Sequence, residues 1–129
     1  MTAPSELTAE QAAAVLTAAL SAPGGGAAVL RSFADLPGAG FSEGRAGGLL
    51  RRAEDARLDV GQWRFVAGER MQVSHVVHQV VLKTSTVGPA QAGRMLAEAV
   101  LSVAAESGPS AVDRAQAVLY GMAVVHGLV

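Results

Sequence analysis

Residues 70–86 read RMQVSHVVHQVVLKTST, and this stretch decides the fold. A shorter run, VGQWRFVA at residues 60–67, precedes it. Between the two, Gly68 and Glu69 suit a tight turn, because glycine readily adopts the positive φ that hairpin turns require. The sequence therefore predicts one β-hairpin with a short first strand and a long second strand. The long run is rich in β-branched side chains that fit a pleated, half-buried surface: Val73, Val76, Val77, Val80 and Val81.

The short strand can cover only part of the long one, and this mismatch predicts a homodimer. Long unpaired strand edges are normally avoided, and an isolated two-stranded hairpin is only marginally stable in water. Pairing with a second copy around a two-fold axis would complete a four-stranded antiparallel sheet. Two alternatives stay open: the run beyond Gln79 is not a strand, or the N-terminal helices cover it. The predicted interface consists of Val77, Gln79, Val81, Lys83 and Met122.

About five helices are predicted to pack on this sheet. Thr8 and Gln11 form a capping-box pattern before a helix over residues 9–21, and a short helix follows over residues 27–36. A third helix is predicted over residues 42–58, with Ser42 as its N-cap. Its apolar stripe repeats at helical spacing and consists of Ala46, Leu49, Leu50, Ala53 and Ala56.

The C-terminal part of the chain predicts two further helices. The first covers residues 89–106, starts with Pro89 and has the clearest amphipathic pattern in the chain. The second covers residues 110–126, and its apolar second half, LYGMAVVHGLV, is predicted to be buried on several sides. The fold class is therefore α+β, in a single domain over residues 1–129, with residues 1–7 expected to form a flexible tail.

Composition excludes several classes of function. The chain has 129 residues, of which 50% are hydrophobic and 16% charged, as expected for one globular domain. It contains no cysteine, which excludes disulfides and thiolate chemistry. A net charge of −1 argues against nonspecific nucleic-acid binding. Arginine far outnumbers lysine, and with abundant alanine and glycine this suggests a GC-rich bacterial genome.

The expected location is the cytoplasm, without membrane association. The N-terminal sequence MTAPSELTAEQ lacks the basic and apolar regions of a signal peptide. The longest apolar tract, residues 115–129, is shorter than the roughly 20 residues that a membrane span needs.

The patterns that usually carry chemistry are incomplete. His75 and His78 are three apart, so on a strand they face opposite sides and cannot share one metal ion. The glycines at residues 24–26 lack the GxGxxG spacing and the lysine of a P-loop. The chain has no GxSxG motif, and its central arginines alternate with acidic residues, which indicates a mixed surface. No catalytic residue, metal or cofactor is predicted.

These observations predict a homodimeric protein-interaction or regulatory module without catalytic activity. The long strand could also accept an extended peptide from a protein partner by strand addition. The alternative is a small-molecule-binding protein with an apolar pocket between the sheet and the last two helices. A third interpretation is an enzyme that uses a lone histidine as acid or base. The predicted ligand contacts are Trp63, His75, His78 and Tyr120.

Overall fold

The computed structural model of the chain describes residues 6–45, 47–49 and 54–129. Within these ranges the chain is α+β and forms four helices and a five-stranded antiparallel sheet. The strands follow one another in chain order across the sheet, so β1 and β5 are its edges. The elements are α1 (Ala9–Ser21), α2 (Gly25–Ser32), β1 (Ala39–Ser42), β2 (Arg57–Val60), β3 (Trp63–Ala67), β4 (Met71–Val77), β5 (Val80–Val87), α3 (Pro89–Ser107) and α4 (Pro109–Val125).

Four predicted helices have observed counterparts. α1 has the predicted bounds, and its capping box is complete: the backbone N–H of Gln11 donates to Thr8 Oγ1, and the backbone N–H of Thr8 donates to Gln11 Oε1. α3 and α4 agree with their predictions to within a residue or so. The short helix predicted over residues 27–36 is α2, which begins and ends a few residues earlier.

The third predicted helix, over residues 42–58, is wrong. Ser42 ends β1, Leu58 lies in β2, and Phe41 pairs with Leu58. Leu49, assigned to the apolar stripe, is 103% exposed. Ala56 is buried, whereas Ala46, Leu50 and Ala53 lie outside the described residues.

Glycine explains part of this difference. Arg45 and Glu54 exchange backbone hydrogen bonds of 2.7 and 2.9 Å across the connection between β1 and β2. A Cβ atom at Gly44 would lie 2.6 Å from the carbonyl oxygen of Glu54. Only glycine permits this close approach of two backbones, and glycine also weakens helices. In the observed strand pairing Leu58 is completely buried.

The predicted long strand over residues 70–86 is also wrong, because the chain reverses in its middle. His78 and Gln79 form a two-residue turn between β4 and β5, with φ angles of 50° and 67°. The run over residues 60–67 is likewise divided, by a turn at Gly61 and Gln62 between β2 and β3. A turn does follow Ala67 as predicted, although its loop contains three residues, since Ala67 pairs with Met71.

The reversal at His78 is favourable despite its local cost. A non-glycine residue in the left-handed region costs about 1–2 kcal/mol, and the turn places two residues there. In return, β5 forms seven residue pairs with β4. The side chains of Ser74 and Thr84 add a hydrogen bond of 2.9 Å between the two strands. A straight strand would have left those backbone groups unpaired, and unpaired groups are costly wherever they become buried.

The helices cover one face of the sheet. The side chains on that face form rows across the strands, and the central row of Leu58, Phe65 and Val73 is buried. α3 crosses this face diagonally. It begins near the loop between β3 and β4, and near its C-terminus Val103 lies next to Gly38 and Gly61 at the opposite end of the sheet. Its path leaves the β4–β5 turn outside the helical layer.

α1 and α3 approach each other closely at Gly93. A Cβ atom at this position would lie 2.5 Å from Thr17 Oγ1 and 2.9 Å from the backbone nitrogen of Thr17. Gly121, in α4, has no described atom within 4 Å of the equivalent position. The two helical glycines therefore differ in role. Gly93 is needed for a close contact between two helices, whereas Gly121 faces open space.

Replacing these glycines by alanine should change stability in opposite directions. Gly93→Ala forces α1 and α3 apart, and we expect the free energy of unfolding to fall by about 1–3 kcal/mol. Gly121→Ala adds a helix-favouring residue in open space, and we expect a gain of about 0.5–1 kcal/mol. Urea denaturation measures both, and a stable Gly93→Ala variant would contradict the close contact.

The turn at His78 and Gln79 offers a second stability test. The double variant His78→Asn/Gln79→Gly places the preferred residues of this turn type at both positions. We expect the free energy of unfolding to increase by about 1 kcal/mol. Gln72→Gly is the control, because Gln72 is exposed in extended strand and glycine should there destabilise by about 0.5–1 kcal/mol. An equal loss in both variants would show that residues 78–79 are not left-handed.

Candidate functional site

The covered face of the sheet becomes exposed toward the β4–β5 turn. One row of side chains on this face consists of Val60, Trp63, His75 and Lys83 on neighbouring strands. Val60 is fully buried, Trp63 is 36% exposed and Lys83 is exposed. Burial decreases along the row because the C-terminal end of α3 passes over β2. The corner of the sheet formed by Trp63, His75 and Lys83 is left uncovered by α3.

A cleft of about 620 Å³ lies between α3 and this corner of the sheet. Its wall on the sheet side comes from the end of β2, the following turn and the start of β3. Its other wall is one side of α3. The residues that line it are Val60, Gly61, Gln62, Trp63, Met95, Glu98, Ala99, Ser102, Val103 and Glu106.

Trp63 is held in place by stacking on His75. The ring centroids are 4.8 Å apart and the planes are inclined by 25°. His75 Nε2 lies 3.3 Å from Gln62 Oε1, within hydrogen-bond distance. The turn after β2 therefore positions the imidazole, and the imidazole supports one face of the indole. This arrangement orients an aromatic ring at the edge of the cleft.

Two glutamates are the ionisable residues that line the cleft, Glu98 and Glu106. Both are exposed, and neither makes a salt bridge within the part of the chain that the structure describes. Ser102 lies between them on the same side of α3, since the three residues are spaced four apart. The cleft therefore combines an aromatic ring with negative charge.

The arginines of the central region that the structure describes lie outside the cleft. Arg45 pairs with Glu54, and Arg64 Nε donates to Asp59 Oδ1 at 2.8 Å. Asp59 and Arg64 are opposite each other on β2 and β3 and point away from the helices. Arg31 contacts Glu43. The Arg45–Glu54 and Arg31–Glu43 pairs are exposed and the Arg64–Asp59 pair is half-buried, and all three agree with the mixed surface that the alternating charges predicted.

The structure brings together two of the four predicted ligand contacts. Trp63 and His75 are stacked beside the cleft. His78 lies in the turn between β4 and β5, and Tyr120 is exposed on α4, away from the cleft. The pocket was predicted between the sheet and the last two helices, whereas α3 alone provides the helical wall of the cleft.

The predicted interface residues lie on two surfaces. Val77, Val81 and Lys83 are on the β4–β5 hairpin, and Gln79 is in its turn. Met122 lies on α4 and packs against the core. The end of α4 was predicted to be buried, yet its apolar side chains are largely exposed, Val125 at 79%. The β4–β5 hairpin therefore carries four of the five predicted interface residues.

β5 is an edge strand with an apolar end. Val80, Val81 and Leu82 are exposed at 58%, 48% and 60%. The β4–β5 register shifts after His75, so that Leu82 has no directly opposite partner on β4 and forms a bulge. Bulges of this kind increase the local twist of a strand. Three consecutive aliphatic side chains are thus presented to solvent beside an open edge.

A second cavity, of about 360 Å³, lies beside the glycine-rich segment at residues 24–26. The starts of α2 and α3 border it, and neither helix has a side-chain N-cap. Glu69 and Arg70 both line it, so it carries one charge of each sign. Within residues 6–45, 47–49 and 54–129, no three His, Asp or Glu side chains are grouped as a metal site would require. No helix described by the structure is long and apolar enough to cross a membrane.

Sequence reasoning missed the polar wall of the cleft. Glu98, Ser102 and Glu106 recur every four residues on the wet side of the most amphipathic helix, a spacing visible in the sequence. Gln62 was assigned to a strand interior, whereas it lies in a turn and contacts His75. The spacing alone could have marked one polar face of α3, but not the aromatic ring opposite it.

The fold and site define a small α+β protein with helices on one face of an antiparallel meander, an aromatic cleft and an open strand edge. The chain belongs to the family described as Domain of unknown function (DUF5073), whose sequence profile matches residues 4–124. Neither a curated protein nor a solved structure matches the chain.

The stack between Trp63 and His75 can be tested by fluorescence, because the chain contains one tryptophan. His75→Ala exposes a face of the indole, and we expect a red-shifted emission and a stability loss of about 0.5–1.5 kcal/mol. His78→Ala removes the other histidine of the hairpin and should leave the emission unchanged. Equal spectra for the wild type and His75→Ala would contradict the stacked geometry.

Proposed function

We propose that this protein is a homodimeric protein-interaction module without catalytic activity, and that two copies join through β5. The observation that carries this proposal is the position of β5: it pairs with β4 on one side and is the last strand of the sheet. The sequence alone predicted one long strand, half of which lacks a partner. Here no strand of the described residues pairs with the outer edge of β5.

The hydrogen-bond pattern identifies which groups of β5 face outward. The backbone N–H of Val76 donates to the carbonyl of Gln62 at 2.7 Å, toward β3. Alternate residues of an antiparallel strand point their backbone groups in opposite directions, so His75 and Val73 face β5. Their partners Lys83 and Ser85 point back toward β4. Thr84 and Thr86 therefore direct their N–H and C=O groups to the open edge.

The composition of β5 favours pairing over protection. Proteins normally protect edge strands with charged residues, proline, bulges or a covering element. The strand sequence VVLKTSTV contains one charge, at Lys83, and no proline, although it has the bulge at Leu82. Its aliphatic end adds apolar surface that a second copy would remove from water.

Two-fold symmetry suits this edge. Two antiparallel β5 strands around an axis perpendicular to the sheet would form one ten-stranded sheet, with the helices of both copies on the same face. Lys83 directly opposite the same residue of the second copy would place like charges together, which is unfavourable. We therefore expect the axis to lie among residues 84–86, where Thr84 and Thr86 supply the hydrogen bonds.

Proline at position 84 tests the proposal, because it removes an outward N–H without removing a bond to β4. We expect the wild type to sediment at twice the monomer mass and Thr84→Pro to associate at least tenfold more weakly. Thr84→Ala is the matched control: it also loses the hydroxyl that bonds to Ser74, but it keeps the N–H and should remain dimeric. Circular dichroism checks that both variants fold.

Two results would contradict the proposal. One is a wild-type chain that stays monomeric at about 100 μM, a concentration at which weak edge pairing should be detectable. The other is a Thr84→Pro variant that is folded and as dimeric as Thr84→Ala, which would place the interface elsewhere. Exposed α4 side chains such as Tyr120 and Val124 would then be the surface to examine.

A further inference from the structure

We propose that the cleft beside Trp63 binds a linear polyamine, a molecule with two or more ammonium groups joined by alkyl chains. This inference goes beyond the proposed dimer and does not depend on it, because all the residues that line the cleft belong to one chain. It rests on the size of the cleft, its aromatic edge and the positions of its charges.

The cleft is large enough for a small organic ligand. Ligand pockets commonly have volumes of about 300–1,000 Å³ and combine apolar walls with a few polar groups. This cleft has a volume of about 620 Å³. Its apolar wall includes Met95, Ala99 and Val103, and its polar groups are the glutamates and Ser102. The cleft therefore offers apolar surface to the alkyl segments of a ligand and polar groups to its charged ends.

The charges indicate a cationic ligand. Glu98 and Glu106 carry the only charges among the residues that line the cleft, and both are free of salt bridges within the described ranges. Arg94 precedes Glu98 by one turn and does not line the cleft; together with Glu98 and Glu10 it borders a second hollow beside α1. Lys83 lies beyond His75 in its row and does not line the cleft. An anionic ligand would meet two carboxylates here and no compensating cation.

The spacing of the carboxylates favours a linear molecule. Residues eight apart on a helix are separated by about 12 Å along its axis. One compact ammonium group cannot contact both Glu98 and Glu106, whereas a chain with ammonium groups along its length can contact each. Ser102 lies midway and can accept a hydrogen bond from a central amine. Methylene segments between the amines would pack against the apolar residues of α3.

Trp63 supplies a further contact for a cation. Ammonium groups bind favourably near tryptophan rings, through the negative potential of the ring face. His75 occupies one face of the indole, and Gln62 lies within hydrogen-bond distance of His75. The indole is thus already oriented before a ligand arrives, so little freedom is lost on binding.

Spermidine is the probe for the test. We expect it to bind the full-length protein saturably by isothermal calorimetry at low salt, and to change the Trp63 emission. The affinity should fall at least fivefold when the ionic strength increases from 20 to about 150 mM, because the carboxylates are exposed and screened by salt. Titration with potassium chloride at matched ionic strength separates specific binding from a general salt effect.

Charge-removing variants locate the site. Glu98→Gln/Glu106→Gln should weaken spermidine binding at least tenfold, and each single variant should weaken it by a smaller factor. Asp113→Asn is the matched control, because it removes one carboxylate from an exposed position on α4 outside the cleft and should leave the affinity unchanged. The double substitution is on the surface, so the fold should be retained.

Several results would overturn the proposal. Absence of saturable calorimetric binding at low salt is one, and equal binding by the wild type and the Glu98→Gln/Glu106→Gln variant is another. Trilysine presents the same ammonium groups on separate branches of a peptide, and we expect it to bind more weakly than spermidine. Equal or tighter binding of trilysine would assign the cleft to basic peptides instead of free polyamines.

Discussion

The reversal of the chain at His78 and Gln79 is the constraint on which the rest of the structure depends. It places two non-glycine residues in the left-handed region, at a local cost, and obtains the whole β4–β5 ladder in return. Without it, the residues of β5 would extend beyond the sheet. With it, the sheet becomes a five-stranded meander in which β5 is the outer strand. The open edge is therefore a direct consequence of this turn.

The path of α3 across the sheet determines the position of the cleft beside Trp63. Gly93 lets α3 approach α1 to backbone distance, and Val103 contacts the region of Gly38 and Gly61 at the far end of the sheet. Between these points the helix crosses the sheet diagonally, and with α2 it covers the buried row of Leu58, Phe65 and Val73. The corner that it leaves open holds Trp63 and the cleft. The edge and the cleft thus lie near the same end of the molecule for two separate reasons.

The candidate site could be predicted only in part. Trp63 and His75 were both identified from the sequence, but their stacking depends on strand register. The expected two-residue turn at Gly68 and Glu69 would have placed Ser74 opposite Trp63. The observed loop has three residues, so His75 takes that position. A shift of one residue moves every side chain to the other face of a sheet, and sequence reasoning cannot fix a register to that accuracy.

The sequence by itself determined the α+β class, the capping box of α1 and the long helices α3 and α4. These features depend on contacts within a few residues, such as the Thr8–Gln11 pair and the apolar stripe of α3. Only the tertiary structure decided which secondary structure the described residues of 42–58 and 70–86 adopt. There the same side chains fit a helix or a long strand locally, and the choice depends on pairing with segments further away, such as Leu58 with Phe41. Burial of those pairs outweighs local preference, because strand pairing stabilises residues that are far apart in the chain.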